Sequence, residues 1–234
     1  MVRFTGQIGG GEIPDGGRAR LGPYPADFRT GLAAVLDAVP AEPEVAQPVN
    51  LRVTGVRVIA TNYFSDRFDV SPSQSRFWVA DAEGAMELFL DFRAVGATPP
   101  FSVAVGQSIS FTAREVMLYG TKPEITAATD WSLDGQGDDV ALFVPDRALE
   151  LTDIHRMVRV VGTVEGEGDV CDRADAEVPN RCWELRYGHG EPGVLRTRSA
   201  LVEPGACIAY VGPLGWYAGR ANFDTLNYSW LRLY

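Results

Sequence analysis

Catalysis needs titratable groups at workable spacing, and this sequence offers few. Its imidazoles are His155 and His189. His155 heads a β-type segment and reads as a surface or linker residue. His189 lies in Gly188-His-Gly-Glu-Pro-Gly193, the composition of a hairpin tip. There is no GxSxG elbow, HExxH, phosphate-cradling loop or dinucleotide-binding glycine run. Carboxylates are plentiful but fall mostly in loops. Glu87 and Asp91 alternate with Met86, Leu88, Leu90 and Phe92, which marks them as the solvent face of an amphipathic strand. No enzyme, cofactor or metal site is expected from this inventory.

The cysteines are Cys171, Cys182 and Cys207, with no CxxC pair. A structural zinc site is therefore not expected. Cys171 and Cys182 enclose a polar stretch that could close as a disulfide, which implies an oxidising compartment. The other reading is three buried thiols in a cytosolic protein. The polar surroundings of Cys171 favour the disulfide, and with it an exported protein whose leader has been removed; a cytoplasmic protein is the alternative.

Binding chemistry has better candidates. Trp183 and Tyr187 fall on one face of a strand, and Arg196 and Arg198 on one face of the next. Aromatic rings beside guanidinium groups can stack bases or sugar rings; equally, the rings can belong to the core and the arginines to a solvated edge. Tyr63, Phe64 and Phe68 form an aromatic loop tip that reads as a flap packed over a barrel end. The net charge is −10 and Lys122 is the single lysine, which disfavours phosphate binding by bulk charge. Residues 46–150 carry −6 and residues 151–234 carry −2, so an anion is better received by the second half.

The elements that must position these residues are short strands and turns, as 25 Gly and 15 Pro suggest. Residues 1–49 read as an N-terminal extension and linker, with one helix over 27–39 and prolines at 40, 43 and 48. β patterning begins at Leu51, with Gly55 in mid-strand as a bulge or bend. A polar stretch, 134–153, separates a first unit over 50–133 from a second over 154–234. Asp134 to Asp139 has the look of a calcium loop but lacks the spaced acids and terminal Glu.

An internal match links the units at an offset of 99 residues. Val105-Gly106-x-x-Ile109-x-Phe111 aligns with Pro204-Gly205-x-x-Ile208-x-Tyr210, Gly120 with Gly219, and Trp131 with Trp230. Each kept residue type has a use: turn glycines, core-facing strand residues, and a Trp plugging the closing strand.

Phe77-Trp-Val-Ala-Asp81-x-x-Gly84, Val105-Gly-Gln-x-Ile-x-Phe111 and Tyr119-Gly120-x-x-Pro-Glu-Ile125 resemble the β2–β3 and β4–β5 hairpins of OB-fold domains in bacterial exported and surface proteins. The resemblance covers 50–133 well and 154–234 in part; the second unit has Cys182-Trp-Glu-Leu-Arg-Tyr-Gly188 and no Asp-x-x-Gly turn. It implies an all-β chain of two tandem five-stranded OB-like Greek-key barrels. The expected function is a noncatalytic binding or structural module with a protein or glycan partner. Asn227-Tyr-Ser-Trp-Leu-Arg-Leu-Tyr234 would close the second barrel or pair with another subunit. The alternative is single-stranded nucleic-acid binding through the second barrel, at Trp183, Tyr187, Arg196 and Arg198, as an accessory to a nuclease. No stretch reaches the ~18–20 apolar residues of a membrane span.

Overall fold

The computed structural model describes residues 31–62, 74–91, 99–136, 142–172, 179–225 and 230–234. Tyr63, Phe64 and Phe68 lie outside them. The expected helix is the short α1 (Leu32–Asp37), whose Leu32 and Val35 are buried against the first unit. One carboxylate sets its start: Asp81 accepts from Leu32 N through Oδ2 and from the amides of Glu83 and Gly84 through Oδ1. The Asp-x-x-Gly motif thus makes a hairpin turn and holds the helix to it.

The first unit is a closed barrel of β1 (Gln47–Thr61), β2 (Gln74–Ala80), β3 (Ala85–Asp91), β4 (Gln107–Tyr119) and β5 (Lys122–Gln136), in the order β1-β2-β3-β5-β4. All neighbours are antiparallel except β3 and β5. At Gly55 (φ +65°) the β1–β4 register shifts, the bulge its position in the sequence suggested. Val53, Val56, Phe77, Leu88, Phe111 and Ile125 fill the interior.

The second unit is a seven-stranded sheet. It contains β6 (Met157–Asp172), β7 (Asn180–Tyr187), β8 (Glu191–Thr197), β9 (Cys207–Pro213), β10 (Gly215–Tyr217), β11 (Arg220–Asp224) and β12 (Leu231–Leu233), in the order β10-β11-β8-β7-β6-β9-β12. Its run β11-β8-β7-β6-β9 repeats the first barrel's order, with β11 parallel to β8 as β5 is to β3. The difference lies in the last hairpin. Pro213 carries no N–H and ends β9, so one long strand becomes β9 and β10; its partner is likewise divided into β11 and β12. Among the described residues, no ladder joins β9 to β11. Instead, the Tyr210 hydroxyl donates to the carbonyls of Pro213 and Asp224, and its ring meets Phe223 edge-on.

The core of the second unit does not stop at its own strands. Ile59, Ala60, Trp78 and Ala85 of the first barrel belong to the same buried cluster as Val158, Leu185, Tyr210, Phe223 and Trp230. Trp78 and Trp230 meet edge-to-face at 5.5 Å.

Candidate functional site

The second unit's β6–β7 end is held by several crosslinks. Cys171 and Cys182 form a disulfide, with Cα atoms 5.7 Å apart. Cys207 is a free, exposed thiol. Arg181 Nη1 donates to Gly168 O at 2.7 Å, and Arg198 Nε donates to Asn180 Oδ1 at 2.9 Å. Strand register places the rest on two faces: Arg181 is opposite Thr197 on one, and Cys182 is opposite Arg196 on the other. Arg196 forms an ion pair with Asp224 at 3.2 Å. Arg196 and Arg198 thus lie on the sheet face that carries Asn180 and Cys182, and Arg181 lies on the other face of the same strand end, in strands equivalent to strands 2 and 3 of an OB-type barrel.

Trp183 and Tyr187 are not part of an exposed platform, which corrects the expected ligand-stacking role. They do share a strand face, but with Leu185 they point into the core. The Trp183 ring lies against Gly168, where a Cβ would be 2.4 Å from the indole. The Tyr187 hydroxyl accepts from Leu149 N at 3.1 Å, and its ring packs edge-on against Phe223. A period of two fixes which residues share a face; it does not say which face turns inward.

A second cluster lies where the units meet, and two sequence expectations fail there. Glu87 is not on a solvent face, and His155 is not a surface residue: they are 2% and 1% exposed, and Glu124 is 1% exposed. Glu87 and Glu124 are directly paired across β3 and β5. Lys122 Nζ bridges them, 3.4 Å from Glu87 and 2.9 Å from Glu124. Arg76 Nε adds a contact of 3.2 Å to Glu87 and lies over the Phe89 ring. His155 Nε2 lies 3.0 Å from Pro123 O, so that nitrogen carries the proton and donates it. The legible clue was Lys122, two residues from Glu124 and so on its strand face, opposite the aromatic-rich hairpin.

The electrostatics separate these groups. Burial opposes charge on Glu87, but Lys122 and Arg76 outweigh it and hold the carboxyl below its usual range. Burial and the neighbouring Glu87 carboxylate raise Glu124 despite Lys122. Asp224 is raised, chiefly by burial, against Arg196. Burial lowers His155 to about 4, so the ring is neutral near pH 7. Carboxylates with divergent proton affinities can divide acid and base roles, but Glu87 and Glu124 are closed off from a dissolved substrate.

Among the described residues, no group of three or more His, Cys, Asp or Glu is placed to hold a metal ion. Among the same residues, no helix is long and apolar enough to cross a membrane. No family model and no curated protein matches the chain. Solved structures similar to it include the tetrameric p202 HIN2 (12% identity, 84% of this chain and 98% of that one, TM-score 0.35). The p204 HINb domain is also similar (10% identity, 82% and 100%, TM-score 0.39), as is fission yeast Pot1 with single-stranded DNA (9% identity, 86% and 86%, TM-score 0.34).

Proposed function

We propose that the chain is a noncatalytic binding module that takes a single-stranded nucleic acid at the disulfide-held end of its second unit. The observation that carries this reading is that Arg196 and Arg198 share the strand face of disulfide-bonded Cys182, with the exposed Arg181 at the same strand end. Barrels of this topology take oligonucleotides across strands 2–3 and the adjoining loops. In the first unit the corresponding face is already covered, since Trp78, Ala85 and Glu87 are buried. That leaves the second unit as the available site. Its crosslinked rim is fixed before the ligand arrives, which lowers the ordering cost of binding. With a net charge of −10 the attraction is local, so binding should be strongly salt-dependent.

The test is fluorescence anisotropy of a labelled single-stranded oligonucleotide at low and moderate salt, with wild type and an Arg181→Ala/Arg198→Ala variant. Arg196 is left alone because it pairs with the partly buried Asp224. Wild-type binding that weakens in the variant, with a shallower salt slope, supports the reading. No binding at low salt defeats it.

A second reading is a protein or glycan partner, or self-assembly, in an exported protein. It is favoured by β12 at the sheet's edge, with Leu233 exposed and Tyr234 75% exposed, and by the disulfide. We further take the chain as an extension (1–49), two repeated barrels (50–133 and 154–234) and a linker (134–153). Two pairs of matched glycines support the repeat. Gly106 and Gly205 have φ +90° and +84°, and each donates to a carbonyl of its unit's first strand; Gly120 and Gly219 have φ +62° and +78°.

A further inference from the structure

The charged seam between the units does more than hold them. We propose that His155 makes this seam a proton-responsive joint, closed while its imidazole is neutral and weakened when the ring takes up a second proton. The geometry comes from both sides. His155 belongs to the second unit and donates across the seam to Pro123 of β5. It sits beside the first barrel's Glu87 on β3 and Lys122 on β5, and those two in turn engage Glu124 on β5 and Arg76 on β2. From the second unit, β11 brings Asp224 and β8 brings Arg196, joined as an ion pair. On the His155 segment itself, Asp153 is engaged by Arg147 and Arg156. The seam group of Glu87, Glu124, Asp224, Lys122, Arg76 and Arg196 has matched acids and bases when all are charged. A proton on His155 puts a charge in a buried site, where the cost of burial, with Lys122 adding to it, outweighs the attraction of Glu87.

The sign follows from linkage. Burial keeps the ring neutral down to about 4 in the closed seam, against an ordinary value of 6.5. An opened seam hydrates the ring, which then binds its proton near 6.5. His155 therefore contributes full closing strength above 6.5 and loses it as pH falls toward 4, about tenfold per pH unit and roughly 300-fold across the window. Glu87, held low, acts in the same direction in stronger acid. Glu124 and Asp224, held high, take protons in the closed seam and oppose it. The joint is a contest, with His155 and Glu124 on opposite sides.

Two measurements test this. In native full-length protein, NMR titration of the histidine ring carbons should show His155 neutral until pH approaches 4, with His189 as the second resonance. Titration of His155 near 6.5 in the folded chain would overturn the proposal. Hydrogen exchange, corrected for intrinsic pH effects, then follows opening at residues 85–91 and 122–128. Between pH 7 and 4.5, His155→Gln should blunt the acid-induced loss of protection, and Glu124→Gln should steepen it. A pH dependence in His155→Gln equal to that of wild type would also overturn it.

Discussion

At position 168 a single missing methyl decides how the second core packs. Gly168 has φ +69°, and a Cβ there would meet the Trp183 ring at 2.4 Å. Gly166 has φ +79° on the same strand but open space around it. Both positions penalise an L side chain by backbone conformation, about 1–2 kcal/mol, and only Gly168 adds overpacking, about 1–3 kcal/mol. Urea denaturation should therefore find Gly168→Ala clearly more destabilised than Gly166→Ala; equal losses would refute the packing argument. Charged residues divide in the same way. Glu87→Gln strips a buried carboxylate from Lys122 and Arg76 and should cost about 3–5 kcal/mol. Glu165→Gln breaks a half-exposed pair with Arg186 and should cost under about 1 kcal/mol. If the two losses in denaturant midpoint were the same, Glu87 would not be a buried partner.

The same contrast appears among whole elements. The disulfide joins the end of β6 to β7 across a sequence separation of 11 residues. Chain entropy then gives about 2.7 kcal/mol of stabilisation. Reduction, or Cys171→Ser with Cys182→Ser, should lower the thermal midpoint and increase hydrogen exchange first in β6 and β7; a loss spread evenly over both units would contradict this placement. This element was legible because the cysteines stood in polar surroundings at a loop-closing distance. The hairpin turns were legible too, since Asp81, Gly84 and Gly120 have turn chemistry that works locally. The strand alternation of Trp183 and Tyr187 was also readable. Their inward orientation was not, because it depends on which face the rest of the sheet covers. Glu87 was hidden for the same reason: alternation marks a polar face, and nothing local says that a second unit will cover it. The division of β9 from β10 follows from Pro213, a residue whose effect becomes plain only once its place in the ladder is known.

Across the whole molecule, the decisive feature is that the second core borrows four residues from the first barrel. A barrel whose β9 and β11 share no ladder needs another way to exclude water from its interior. Tyr210 bridges the two strands from within, and Trp78 reaches Trp230 from the first barrel's outer face. This arrangement couples the units thermodynamically. Removing Trp78 takes an indole from the shared cluster without touching the first barrel's interior, where Phe77, Leu88 and Phe111 pack separately. Trp78→Ala should thus cost about 3–5 kcal/mol, and the loss should fall on the second unit. The wild-type chain should melt in one transition, with far-ultraviolet dichroism and tryptophan fluorescence coinciding. In Trp78→Ala the two signals should separate as the second unit unfolds first. Retention of a single coincident transition at an unchanged midpoint would mean that the second unit seals its own core, and that the contact between the barrels is incidental to its stability.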